Sequence, residues 1–429
     1  MQKFKLLPIT VAVAASLASL SSFAAETDLA ALEQRIQELE SQVGDIKYTD
    51  DQQQAVLTSE TNVPDGIVFS GYARYGAHYK SGDERYVDIG TTGRSVGRLG
   101  NEANGGEVQL AKLFEADNGA IWDIVFMADH WEADAWADDG GLSMKKMYAG
   151  VTNVFESQPE LYMWAGRDFH QRPQQGLNDY FWMTHDGQGA GFNNLDFGGA
   201  KLDMGFVGQV KGGLVNDNGR YAITSKLHSI NAGIGQLDLY ANYGFASDEA
   251  DSDVAGDPKV SDETAYLVGA TLGLGESNKL VVKYGDGADS SVYDLKGDYQ
   301  TLYASVEGSY AASEQFIIDY LVSYKDNSGS DLDRENTEYA GIVRPQYQWD
   351  DVHSTWLEAG YGMVDYDDDG EENAWKVTLS QNVSLGGLPW SRPMLRFYTT
   401  VGDVETKGNT VKTTNVDTLS FGAMFEAWW

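Results

Sequence analysis

Residues 419–429 read Leu-Ser-Phe-Gly-Ala-Met-Phe-Glu-Ala-Trp-Trp and close the chain. Leu419, Phe421, Ala423, Phe425, Ala427 and Trp429 fall on one parity. Ser420, Gly422, Met424, Glu426 and Trp428 fall on the other. Period two is the period of a β-strand, here with one apolar face and one mixed face. Two architectures use such a strand. One is the edge of a soluble sandwich. The other is a transmembrane barrel, whose strands need about 9–11 residues, point apolar side chains at lipid and carry aromatic residues at the interfaces.

The opposite end of the chain favours the barrel. Lys3 and Lys5 precede an apolar stretch from Leu6 to Leu20, and Ser22-Phe23-Ala24 offers small residues for cleavage. This pattern predicts a secretory signal peptide over residues 1–24. No later run approaches the roughly 18 apolar residues of a membrane-spanning helix. An exported protein without a helical span and with a barrel-type final strand belongs in an outer membrane, with lipid as its surroundings.

Composition narrows the choice further. The formal charge is −35, and loss of Lys3 and Lys5 with the leader takes it to −37. Such acidity argues against nucleic acid, whose phosphates need a basic face. The absence of cysteine removes disulfides, thiol nucleophiles and thiolate metal sites. The chain holds 48 Gly, 24 Tyr and 11 Trp against 8 Pro, with a mean hydropathy of −0.38. Low hydropathy combined with alternating apolar residues is what a barrel around water requires.

Residues 25–47 form a separate module. Leu29, Leu32, Ile36, Leu39, Val43 and Ile46 alternate spacings of three and four, a heptad seam that predicts a coiled-coil helix. So short a coil is marginal alone and needs a partner or an oligomeric body. A polar linker covers 48–66. From 67 to 429 the pattern is strand and turn. Candidate strands include 68–75, 121–128, 146–151, 162–169, 237–245, 265–272, 279–284, 301–310, 316–324, 355–364, 375–380, 395–401 and the final stretch. The expected fold is thus all-β, a closed antiparallel transmembrane barrel preceded by a coiled-coil helix.

Signals for catalysis are weak. Asp365 to Gly370 begins like a calcium loop, but its twelfth position is Lys376 where a bidentate Glu is needed, so an acidic hairpin loop is the better reading. His130 and His185 have no partner at ligand spacing. Glu358 and Asp179 could form an acid/base pair only if the fold brought them together. No cofactor, metal or catalytic residue is expected. What stands out is residues 164–194, WAGRDFHQRPQQGLNDYFWMTHDGQGAGFNN, too long and too rich in aromatics and fixed charges for a plain hairpin. Aromatic rings cover the C–H face of a pyranose, while Arg and Asp exchange hydrogen bonds with its hydroxyl rim.

The motifs F-S-G-Y-A-R (69–74), G-R-L-G-N-E (97–102), W-A-G-R-x-F (164–169), Y-F-W…G-Q-G-A-G (180–191), W-S-R-P (390–393) and E-A-W-W (426–429) are specific together. With them the chain resembles the maltoporin and sucrose porin family of outer-membrane sugar channels. The coil ahead of the barrel is more similar to the sucrose porins. The resemblance implies a homotrimer of eighteen-stranded barrels, an aromatic sugar slide, polar tracks and an inward loop narrowing the pore. Matched residue by residue, Tyr72, Trp131, Trp349 and Trp428 stand at slide positions. Trp131 lies in H-W-E-A (130–133), which matches a loop that latches onto a neighbouring subunit. Arg74 and Arg98 match the polar tracks, as does Glu107, which falls near an expected slide tyrosine. Arg172, Asp179 and Phe181 match the constriction, with Phe181 replacing a tyrosine. The resemblance implies a non-enzymatic channel for oligosaccharides, most of all malto-oligosaccharides. The alternatives are a sucrose or other disaccharide porin, and a structural outer-membrane protein anchored by its coil.

Overall fold

The computed structural model describes residues 47–48, 55–56, 67–132, 141–210, 217–251, 259–275, 277–408 and 414–429. The leader and the heptad seam Leu29 to Ile46 lie outside the described residues. Alternation of apolar and polar residues from 67 onward is realised as eighteen antiparallel strands closed into one barrel. The first nine are β1 (Ile67–Lys80), β2 (Asn104–Glu115), β3 (Ile121–Glu132), β4 (Ser143–Thr152), β5 (Tyr162–Asp168), β6 (Gly187–Asp196), β7 (Lys201–Val210), β8 (Asp217–Asn231) and β9 (Gln236–Ala246). The second nine are β10 (Thr264–Leu274), β11 (Asn278–Asp286), β12 (Gln300–Ala311), β13 (Phe316–Ser328), β14 (Asn336–Gln348), β15 (His353–Tyr366), β16 (Gly370–Ser384), β17 (Met394–Lys407) and β18 (Thr414–Trp428).

Closure is made by β18 on β1, with Trp428 opposite Tyr72 and Glu426 opposite Arg74. Every strand edge is therefore paired, as a sheet facing lipid requires. The parity of the last strand holds: Leu419, Phe421 and Phe425 are exposed on the outside, while Ser420, Met424 and Glu426 are buried inside. The same rule runs round the wall. Leu357, Tyr361, Trp375, Leu379 and Phe397 face out; Trp356, Glu358, Lys376 and Arg396 face in.

The two ends differ. At one end most connections are short, as at 197–200, 232–235, 312–315 and 349–352. At the other, three long connections turn into the lumen: 81–103, 169–186 and 287–299. The acidic run at Asp365 to Gly370 is a tight hairpin turn between β15 and β16, where the Arg334 guanidinium holds Asp368 at 2.9 Å.

Candidate functional site

The inward connection 81–103 is anchored by its motif. Gly97 and Gly100 adopt positive φ angles of 106° and 82°. A Cβ at Gly97 would lie 2.2 Å from Glu358 Oε1, and one at Gly100 would lie 2.2 Å from Thr400 Oγ1. Glycine lets the backbone press onto the wall, where the Leu99 amide donates to Glu358 (2.8 Å). Lys376 Nζ donates to the carbonyls of Gly97 (2.6 Å) and Leu99 (2.5 Å). Arg344 completes the pairing of the buried Glu358 carboxylate. Apolar seats reinforce the polar ones: Val87, Ile89 and Val96 pack on Val364 and Ala374, and Leu99 on Trp356 and Met394.

The connection 169–186 docks on the first. The Arg94 and Arg98 amides donate to the carbonyls of Asn178 (2.5 Å) and Leu177 (2.8 Å). The third, 287–299, joins the second through the Thr184 amide and the Ser290 carbonyl (2.9 Å), and through the Val292 amide and His185 Nε2 (3.3 Å). Lys283 and Lys325 both hold Asp289, at 3.3 and 3.0 Å. Burial pushes the Asp289 carboxyl up, but Lys325 and Lys283 outweigh it and hold it at about 2. Nothing in the turn-rich composition of 287–299 marks it in advance as an inward segment.

Most sequence-assigned residues converge around these loops. Tyr72 stacks on Trp131, centroids 6.0 Å apart at 25°. The Arg74 guanidinium lies 5.0 Å from the Trp131 ring and donates to Asp179 at 2.7 Å. Burial alone would raise the Asp179 carboxyl, yet Arg74 and Arg98 hold it below the usual carboxylate range. Tyr72 Oη donates to Glu426 at 2.7 Å, and Arg98 reaches the same carboxylate at 3.2 Å. Arg172 lies between two rings, 4.2 Å from Phe169 and 4.1 Å from Phe181, and 3.5 Å from Asp186. Burial raises Asp186 to about 6, only partly offset by Arg172, although a third of its side chain stays accessible. Glu107 stands opposite Tyr72 on β2 and faces the same space.

One assignment needs correction. Trp349 is not in the lumen. It follows β14 on the outward parity, is 60% exposed, rests on Tyr347 and donates its indole N–H to Thr355 on the outer face. Trp356, seven residues on, takes the inward position, with the guanidinium groups of Arg344, Arg392 and Arg396 within 5.7, 5.9 and 5.2 Å of its ring. Trp131 points from β3 into the barrel against Tyr72. Glu358 and Asp179 sit on separate cation partners and form no pair with each other.

Sequence reasoning also missed a charge knot. Glu426 is fully buried and accepts from Arg392 Nε at 2.8 Å, from Arg396 and from Arg98. Arg396 also donates to Glu102 at 2.6 Å. The Arg392 guanidinium covers the Trp428 ring at 4.2 Å. The signal was present: charged residues at inward parity recur on consecutive strands as Arg344, Glu358, Lys376, Arg396 and Glu426. Tyr72, Trp131 and Phe181 remain half-buried, and Trp428 is 44% exposed; Trp356, Trp182 and Trp164 are sealed. The barrel thus presents a discontinuous set of open rings bordered by fixed guanidinium and carboxylate groups.

A model of the LamB porin family matches residues 67–429. Among solved structures, Pseudomonas aeruginosa OccD3 (OpdP) is similar with a TM-score of 0.50 at 11% identity, over 90% of this chain and 98% of that one. The anion-selective porin from Comamonas acidovorans gives a TM-score of 0.43 at 11% identity, over 85% of this chain and 99% of that one. Vibrio cholerae OmpT gives 0.41 at 12% identity, over 86% of this chain and 100% of that one.

Proposed function

The chain belongs to the LamB porin family, an outer-membrane channel, and from that premise we propose that it passes oligosaccharides, foremost malto-oligosaccharides, as a homotrimer exported with a cleaved leader and carrying a coiled coil. The barrel domain is 67–429. The observation that carries this reading is the set of open inward rings, Tyr72, Trp131, Phe181 and Trp428, each beside a fixed charge. A pyranose stacks its C–H face on such a ring and hydrogen-bonds its rim to the neighbouring Arg and Asp groups. Arg74, Arg98 and Glu107 line this path, and Arg172, Asp179 and Phe181 border its constriction. Cations and anions alternate there, so a neutral polyol meets both donors and acceptors without a net trap for ions. The residues in this path serve binding and passage, not turnover.

A disaccharide such as sucrose is the second reading, favoured by Phe181, which offers a ring without a hydroxyl, and by the close docking of three inward connections. The deciding experiment records single-channel current in planar bilayers during titration with malto-oligosaccharides and then sucrose. Block by the former at lower concentration supports the first reading; block by sucrose alone selects the second. A barrel that carries no current contradicts both and favours a structural outer-membrane protein.

A further inference from the structure

The inward connection 169–186 leaves and rejoins the wall at a narrow neck. The His185 amide donates to the His170 carbonyl at 2.9 Å, so its two legs meet at a pair of histidines. Both side chains are sealed, at 5% and 0% exposure. His170 rests on the wall. Its ring lies 5.4 Å from that of Trp164 on β5, and its Nε2 lies 2.6 Å from Thr224 Oγ1 on β8. A Cβ at Gly205 on β7 would lie 3.0 Å from the same nitrogen. His185 meets the connection 287–299, with its ring 5.8 Å from that of Tyr293 and its Nε2 accepting from the Val292 amide. Beside the neck, Trp182 and Met183 are fully buried in one apolar cluster with Leu267, Val281 and Val292.

The bonds fix the protonation state. An Nε2 that accepts from Val292 keeps its lone pair, so His185 is neutral with its proton on Nδ1, which has no hydrogen-bond partner among the described residues. A second proton takes that lone pair, breaks the bond to 287–299 and leaves a cation in an apolar seat. The surrounding charges do not offset this cost. Asp168 on β5 and Asp203 on β7 face His170, but burial outweighs them and lowers it to about 4. Burial, then His170 and Lys283 on β11, lower His185 to about 3. Asp289 in 287–299 is held by Lys283 and Lys325, and Asp186 lies 3.5 Å from Arg172.

We propose that His170 and His185 form an acid-sensitive lock on the constriction: uncharged, they hold the neck of 169–186 on the wall and on 287–299; protonated together, they repel, and the freed neck moves into the open lumen and lowers the current. The tip of the connection is held separately. Gln175 Nε2 donates to Ser305 at 2.8 Å and Gln175 Oε1 accepts from Tyr303, and none of these groups gains a proton in acid. The neck therefore swings while the tip stays across the lumen. The docked state needs neutral histidines, so docking is complete above their ordinary value of 6.5 and weakens as pH falls. Each histidine lowers the docked-to-released ratio by up to about tenfold per pH unit over that range.

The lock does not draw on which sugar passes, so it is tested without sugar. Single-channel current of the full-length protein is recorded in planar bilayers from about pH 7 to about pH 3.5. Asp186→Asn is carried in both arms, so that its own titration drops out. With native histidines the closed fraction should rise steeply below about pH 5. In the double variant His170→Gln, His185→Gln the amides keep hydrogen-bonding groups but take no proton, and the closed fraction at about pH 4 should be at least tenfold lower. A channel with native histidines that stays open throughout, or equal closure in the double variant, overturns the proposal. Deuterium uptake by 169–186, corrected for the intrinsic pH dependence of exchange, needs no variant. Its protection should fall at least tenfold between about pH 6 and about pH 4; unchanged protection overturns the proposal.

Discussion

Glu426 in the throat and Asp368 at the rim each hold an arginine side chain, yet they sit in opposite surroundings. Glu426 is fully buried and shared by Arg98, Arg392 and Arg396. Asp368 and its partner Arg334 keep 37% and 28% of their side-chain surface. The throat collects arginine and lysine from consecutive inward positions, whereas the rim turns around Asp367 and Asp368 are acidic and solvated. The formal charge of −35 is a sum over the whole chain and says little about the lining, where carboxylates are paired with fixed cations. Water screens the rim pairs; in the throat each charge depends on its partner.

The largest expected effect breaks the throat side of this comparison. Glu426→Ala leaves three guanidinium groups without their shared carboxylate, and removing one partner of a buried pair costs about 3–5 kcal/mol. Urea unfolding in detergent should show a loss of this order. Arg334→Ala at the rim should cost about 1 kcal/mol or less. Similar losses for the two variants would mean that burial does not separate the regions.

Arg172→Ala tests the next step. Removing a fixed cation held between Phe169 and Phe181 should shift ion selectivity toward cations and change single-channel conductance by about twofold or more. Unchanged reversal potentials under a salt gradient would place Arg172 away from the ion path.

A pH titration sharpens the same point. Asp186 is charged above about 6 and neutral below it. As pH falls through that value its negative charge is lost, Arg172 loses its counter-charge, and anion preference should rise. Asp186→Asn should hold the low-pH selectivity at pH 7 and flatten the transition. A transition that persists unaltered in this variant assigns the titration to another group.

The barrel was readable from the chain where both faces carry side chains. The strand at 419–428 alternates apolar and mixed residues, and the structure keeps that alternation. Strand β6 was not read because Gly187, Gly189 and Gly191 leave its inward parity blank. The reason is packing: Trp164 Nε1 would lie 3.1 Å from a Cβ at Gly191. Strand β2 opens with Gly105 and Gly106, and its apolar row Val108, Leu110 and Phe114 is interrupted by Lys112, so the strand was not read. The inward placement of Tyr72, Trp131, Phe181 and Trp428 was legible from parity and motif. It failed at Trp349, seven residues from Trp356. An odd spacing puts the two rings on opposite faces, and the turn at 349–352 left the parity of Trp349 undecided from sequence. The inward loop 287–299 has no apolar period to betray its docking, which rests on backbone bonds and on Asp289 between two lysines.

The account stands most directly on which aromatic rings a sugar meets. Single-channel current, titrated with malto-oligosaccharide in wild type, Trp428→Ala and Trp349→Ala, measures this. Ring stacking is worth about 1 kcal/mol, so Trp428→Ala should weaken sugar block by up to about tenfold while ion conductance holds or rises. Trp349→Ala, on the outer face, should leave block at the wild-type value. Equal weakening by both variants, or block insensitive to Trp428, would contradict the path.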